Sequence, residues 1–369
     1  MVFLYHYRKF WRDELPAWTS RILNEFHTGV SLFFVLSGFL IAYTYADKPM
    51  RSRGAYGQYL LIRLIRIFPI YLIILTLKYL SVGFPDATLT ALTYTLTHGF
   101  SNQYNLHGVS QAWSLTVEMS FYLIAPMIYF GWRRSPVGTT GALLLLLGLT
   151  IGAGYAIHAG VPNRYNFFYD WYFVLNTTFN GRFVEFLAGI MLAHWMRNHE
   201  GGQKPLLHRA TLTGGLAMLL IIFILGLFEK ELHTHGIDTW PGLLIRNLVF
   251  PFAVACFLYG LATEGTWLGW LMGSRVFVLL GNASFVFYLA HIGYVSNTLA
   301  KWFFLPDRNF TALWVLSILI FLLIEKPLYE TLKRRIKGEK PAIRIRSRRL
   351  LRREAQASGG GPTVPGASG

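Results

Sequence analysis

The sequence predicts an all-α protein, a polytopic transmembrane helix bundle of about ten helices with the first truncated. Three observations carry this. The 369 residues are 53% hydrophobic and only 14% charged, with a mean hydropathy of +0.40; a soluble domain carries about 25% charged residues. Twenty Tyr, 11 Trp and 29 Phe suit a chain whose aromatics crowd two membrane–water boundaries. Apolar runs close to the roughly 20 residues that a spanning helix needs recur as far as residue 327.

The elements follow in order. "MVFLYHYRKFW" is apolar or aromatic up to Arg8 and Lys9, with His6 lodged in it. It is too short to cross, and it lacks the length and small-residue cleavage site of a signal peptide. It is expected to be the end of a first helix whose greater part lies upstream of Met1; the alternative is a re-entrant stub. Complete spans are expected at 28–46, 64–82, 111–131, 141–159, 182–197, 211–228, 243–262, 276–298 and 309–327. The third carries a lone acid, Glu118, in "AWSLTVEMSFYLIAPM". The fifth carries Arg182 and Glu185 in "NGRFVEFLAGIML", and the eighth carries His291 in "GNASFVFYLAHIGY". The ninth closes on Glu325 in "IEKP". Residues 1–330 therefore form one membrane domain. Residues 331–369 are basic at first and then become the Gly/Pro/Ser-rich "AQASGGGPTVPGASG", a composition that cannot bury a core and is expected to be disordered.

Charge sets the orientation. With the N-terminus inside, the cytoplasmic loops 47–66, 132–140, 197–210 and 263–275 and the tail hold 23 of the 34 Lys and Arg, while 83–110 holds none. This positive-inside pattern predicts a multi-pass protein of the plasma (inner) membrane with both termini cytoplasmic. Twelve of the 34 lie between Lys326 and Arg353, so the net charge of +16 reads as a lipid-facing anchor and not as a nucleic-acid surface. Cys256 is the only cysteine, which excludes an internal disulfide. No internal repeat is visible.

Ionisable groups in hydrocarbon are costly, and each is a functional candidate. Glu118 and His291 each sit seven residues from the outer end of a predicted span, roughly 10 Å deep at 1.5 Å per residue. His6 lies just short of the outer end of the truncated helix. At the opposite face "YLLIRLIRIFPIYLI" places Arg63 and Arg66 on one side of a helix. They are either snorkelling anchors or a clamp whose guanidinium forks match phosphate oxygens, such as those of coenzyme A. Arg182 and Glu185 are one turn apart and suit a structural pair; with Trp113 they are also candidates for contact with a substrate. Glu325 is expected to pair with a base and fix its helix.

"GVSLFFVLSGFLIAYTY", "RLIRIFPIY", "WSLTVEMSFYLIAPM", "GRFVEFLAGIMLA", "GNASFVFYLAH" and "EKP" stand in this order from residue 1 to about 330. In that order they resemble acyltransferase family 3, the integral-membrane acyl-CoA-dependent O-acyltransferases of the O-antigen and exopolysaccharide acetylase type. Ser31 stands where that family often has Asp, and Met119 and Ser120 stand where it has a polar pair. The resemblance implies that acyl-CoA, commonly acetyl-CoA, is the cosubstrate, with no permanently bound cofactor and no metal, and that a hydroxyl of a carbohydrate or small molecule is the acceptor. It further implies that His6 is catalytic, with a partner Arg upstream of Met1.

A neutral imidazole, with an unperturbed pKa near 6.5, suits removal of an alcohol proton at neutral pH. His6 is therefore assigned as general base. Glu118 is assigned to orient or polarise an imidazole, and His291 to support it or stabilise the oxyanion. Arg63 and Arg66 are assigned to the phosphates of CoA. A second pattern, His233-x-x-x-x-Asp238 in "EKELHTHGID", has the spacing of soluble glycerolipid acyltransferases. It lies in an outer loop away from CoA and is set aside, as is a metal grip by His233, His235, Glu229 and Glu231. The rival class is a membrane transporter or flippase for a glycan or lipid-linked substrate, which also uses intramembrane charge.

Overall fold

The computed structural model describes residues 1–10, 15–45, 52–160, 166–198, 209–229, 234–303 and 306–338. The tail beyond 338, and His233 and Glu231, lie outside the described residues. Within them the chain is a helix bundle, and its one β contact is an isolated bridge between Ser101 and Phe167.

The helices are α1 Val2–Tyr7, α2 Ala17–Asn24, α3 Gly29–Tyr45, α4 Arg53–Val82, α5 Ala87–Tyr94, α6 Trp113–Arg134, α7 Pro136–Gly160, α8 Trp171–Thr177 and α9 Phe179–Asn198. They continue as α10 Ala210–Leu227, α11 Trp240–Leu244, α12 Phe250–Thr263, α13 Trp267–Met272, α14 Arg275–Ala290, α15 Tyr294–Ala300, α16 Pro306–Ile320 and α17 Lys326–Lys337. Seven continuous helical stretches are long and apolar enough to span a membrane. The first runs from Ala17 to Tyr45, eleven residues earlier than the apolar run implies, because α2 and a 3-10 turn at Glu25–Thr28 lead straight into α3. The expected span at 182–197 is α9, a helix of 20 residues that is not among these seven; it buries Arg182 and Glu185.

The expected straight span at 276–298 is corrected. α14 stops at Ala290, the chain turns by 90°, and α15 begins at Tyr294. Gly293 sits in the turn at φ +81°, a conformation that costs glycine nothing. His291 thus occupies a corner and not a mid-span position.

Small residues set the closest helix contacts. A side chain at Gly38 of α3 would meet the backbone of Phe186, and one at Gly189 of α9 would meet the backbone of Val35 and Phe39. Helices in lipid associate by such close packing, since lipid supplies no hydrophobic drive between them. Phe34 of α3 and Phe186 of α9 then stack at 4.8 Å in the main core. The α3–α9 pair is the rigid spine on which the polar groups below are mounted.

Two π-helical turns break the regularity, Ile245–Val249 before α12 and Phe321–Glu325 before α17. Each stands two residues ahead of a proline, Pro251 and Pro327. Proline lacks the N–H that the carbonyl four residues back requires, and a local π adjustment re-satisfies the freed backbone. Arg246 and Glu325 lie in these turns and are buried.

Candidate active site

One end of the bundle encloses a cavity of about 300 Å³. Tyr5 and His6 of α1 form one wall, with His27, Gln111 and Trp113 beside them. Arg182, His235, Arg246 and Tyr288 complete it. Its floor is pinned by Gln111, whose side-chain amide donates to the carbonyls of Tyr288 and Leu289 at 2.8 and 2.7 Å. That pair fastens the entry of α6 to the end of α14, next to the His291 corner.

The imidazoles differ in how they are held. His6 is half-buried and, among the described residues, its ring nitrogens have no hydrogen-bond partner. Its ring centre is 5.2 Å from that of His291. His291 Nδ1 lies 2.6 Å from the Tyr288 carbonyl. A carbonyl only accepts, so Nδ1 carries the proton and Nε2 presents a lone pair; Nε2 is buried without a partner. His27 is fixed likewise, with Nδ1 donating to the Asn24 carbonyl at 3.0 Å. His235 Nε2 meets the Tyr5 hydroxyl at 3.1 Å. Burial holds the His235 imidazole below its ordinary range, with Asp238 pulling the other way.

Two buried arginines face the same space. Arg182 is 2% exposed and grips Glu185 with a fork, Nε to Oε2 at 2.9 Å and Nη2 to Oε1 at 2.7 Å. Ser31 completes the group, donating to Glu185 Oε1 at 2.6 Å and accepting from Arg182 Nη2 at 3.0 Å. The Arg182 guanidinium also lies 5.7 Å from the centre of the Trp113 ring. Arg246 is 1% exposed, and its Nε and Nη2 have no hydrogen-bond partner.

From this cavity a polar column descends along α6. Glu118 is five residues beyond Trp113, about 7 Å deeper. It is 2% exposed and accepts from Ser37 at 2.6 Å and from the Tyr122 hydroxyl. The Tyr122 ring centre is 5.6 Å from the Arg63 guanidinium, which also faces Tyr45 at 5.3 Å and Tyr59 at 5.9 Å. Arg66 lies one turn on and stands 6.0 Å from the Tyr329 ring of α17. The Val82 end of α4 belongs to the cavity side, where Lys78 donates to the Gly108 carbonyl at 2.5 Å. Arg66 is sixteen residues from Val82, roughly 24 Å away along the helix, so the two arginines lie well below the cavity, near the middle of α4.

The family model described as the acyltransferase domain matches residues 1–325, which include every residue of the cavity and the column. The chain belongs to the acyltransferase domain family. A curated relative, nodulation protein 10 of Rhizobium leguminosarum bv. viciae, is 28% identical over 193 residues, 46% of this chain and 49% of that protein. The chain thus spans about half the length of the curated relative it matches. No solved structure matches it.

Of the positions expected from sequence in this acyltransferase-domain protein, His6, Trp113 and Arg182 meet in the cavity. His291 stands behind His6, and Glu185 reaches the site through Arg182. Glu118 is not beside an imidazole; its Oε1 is engaged by Ser37 and Tyr122. Arg63 and Arg66 share a helix side as expected. His27, His235 and Arg246 were not expected in the site. Arg246 carried a readable signal, a lone arginine inside an apolar run. His235 did not: Asp238 accepts from Tyr172 at 2.6 Å and from the His235 backbone at 2.7 Å, and this turn folds the loop inward. Glu229, once paired with His235 as a metal grip, instead accepts from Asn24 at 2.7 Å.

Proposed function

We propose that this is an integral-membrane O-acyltransferase, moving an acyl group, acetyl in the simplest case, from acyl-CoA to a hydroxyl of a carbohydrate-type acceptor. One observation carries the proposal: the His6 ring stands in a polar cavity with no side chain bonded to it, at the head of a column of polar groups that ends at Arg63. A base for a substrate proton must be left free by the protein.

Arg63 and Arg66 receive the phosphates of CoA at the cytoplasmic face. The pantetheine runs along Tyr122, Glu118 and Trp113, and the thioester arrives beside His6. A fully extended pantetheine arm is of the order of the separation between the two ends. The acceptor enters the cavity from the outer side. His6 takes the proton of the acceptor hydroxyl, whose oxygen attacks the thioester carbonyl carbon. The tetrahedral oxyanion collapses, the carbon–sulfur bond breaks with its electron pair on sulfur, and the imidazolium returns the proton to give CoA thiol. His291 sits within reach of His6 as its electrostatic neighbour, and Glu118 is a positioning residue that holds α3 to α6 through Ser37.

The test is transfer from labelled acetyl-CoA by membranes containing the protein, with a carbohydrate acceptor supplied. Release of CoA thiol together with label in the acceptor is the expected result. A protein that moves a glycan or lipid-linked substrate without consuming the thioester would be a transporter, and the proposal would fail.

A further inference from the structure

Arg246 is a cation for which the fold provides a place but, among the described residues, no partner for Nε and Nη2. It lies 1% exposed in the wall of the cavity. The two nitrogens left without hydrogen bonds, Nε and Nη2, form one edge of the guanidinium. That edge is the fork that matches two oxygens of a carboxylate or phosphate. The neighbouring Arg182 uses the same edge on Glu185, at 2.9 and 2.7 Å, so the molecule itself displays what such an edge accepts.

No carboxylate among the described residues is within ion-pair reach of Arg246. Glu185 is committed to Arg182 and Ser31. Glu25 accepts from the Gly236 backbone N–H at 2.6 Å and faces His27 at 4.0 Å. Burying an unpaired guanidinium is strongly unfavourable. A protein that only needed to pack this wall would gain stability from an apolar residue of the same volume. The π-turn that contains Arg246 widens the helix at this position, as such turns do at functional sites.

Taking the cavity as the acceptor site of the preceding subsection, we infer that Arg246 recognises an anionic group on the acceptor. The compound acylated here carries a carboxylate or a phosphate near its reacting hydroxyl, as a uronic acid or a sugar phosphate does. The anion docks on the Arg246 guanidinium from the cavity and presents the hydroxyl to His6, which lines the same cavity.

Binding tests this without relying on turnover. The full chain in detergent is melted alone and with methyl glucuronide, glucose 6-phosphate, inorganic phosphate or methyl glucoside at millimolar concentration. One or both anionic sugars are expected to raise the melting temperature by about 2 to 4 °C, and methyl glucoside to leave it unchanged. The glucuronide and phosphate arms tell carboxylate from phosphate. Arg246→Gln is expected to melt no lower than the parent without ligand and to lose the anion shift. Should that variant fail to fold, Arg246→Lys keeps the charge without the fork and is expected to lose most of the shift. Equal stabilisation by methyl glucoside, no stabilisation by either anionic sugar, or an anion shift that survives both substitutions overturns the inference. Absence of transfer from acetyl-CoA would instead strike the acyltransferase proposal, since the melting shift requires no thioester.

Discussion

The two π-turns use one backbone device for different ends. Ile245–Val249 and Phe321–Glu325 each precede a proline and each bury one ionisable side chain, Arg246 and Glu325. Both side chains have polar atoms without partners, Nε and Nη2 of Arg246 and Oε2 of Glu325. Their surroundings separate them. Arg246 faces a cavity shared with another guanidinium and three imidazoles. Glu325 has the exposed Arg66 as its neighbouring charge, and Arg66 in turn lies over Tyr329 of α17. A charge near solvent is screened and contributes little. A buried charge in low-dielectric surroundings acts strongly on whatever comes beside it. On the proposed function, the cavity would serve chemistry and recognition, and the region of Arg63 and Arg66 the capture of a charged cosubstrate.

The largest effect expected from this contrast is at His6. His6→Ala should lower acetyl transfer by about 10²- to 10⁴-fold, the usual contribution of a positioned general base, with an unchanged melting temperature. Transfer kinetics and a melting curve on the same preparation check it. A mild loss at His6 together with collapse of turnover on changing Arg63 would invert the comparison.

The next effect is on stability. Glu185→Gln leaves Arg182 buried with half of its fork unmet, and breaking a buried pair from one side costs about 3–5 kcal/mol. Glu325→Gln, whose neighbouring charge is the exposed Arg66, should cost no more than about 1 kcal/mol. Denaturation of the two variants in the same detergent measures the gap. Equal losses would mean that the two ends are not electrostatically different.

A smaller and more specific change is expected from Arg63→Gln with Arg66→Gln. The apparent Michaelis constant for acetyl-CoA should rise about tenfold, equivalent to about 1.4 kcal/mol of binding, with kcat little altered. An unchanged dependence on acetyl-CoA would return both arginines to the role of lipid anchors.

The same contrast explains what was legible in the sequence. Spans are written in consecutive residues, so seven of the nine expected runs coincide with continuous spanning helices, and the i, i+3 spacing of Arg63 and Arg66 could be read directly. The cavity is assembled from α1, the turn after α2, the start of α6, α9, the loop before α11, the π-turn and α14. No spacing rule joins His27 to His235, whose ring centres are 4.9 Å apart across more than 200 residues. His291 was visible as a titratable group in a span, but the 90° corner rests on Gly293, whose positive φ the apolar pattern around it conceals. Glu118 was visible for the same reason as His291. Its partners were not, because Ser37 in α3 reads as one more small residue of an apolar helix.

The smallest effect concerns the loop that closes the cavity. His235 lies between spans, burial keeps its folded-state pKa below the ordinary histidine value of about 6.5, and Asp238 opposes this. The sign follows from linkage: a group that binds its proton less readily when folded gives stability that is fully present above its unfolded pKa. That stability is lost as pH falls from about 6.5 through the depressed folded value. Melting temperature should therefore decline below the ordinary histidine range, and His235→Gln should flatten part of the decline while leaving the value at pH 8 nearly unchanged. The Tyr5 hydroxyl, 3.1 Å from His235 Nε2, can donate to the glutamine carbonyl, so the wall itself is kept. An identical pH profile in the variant would show that protonation of this loop does not loosen the cavity. Any pH sensitivity of the cavity would then have to come from its other imidazoles.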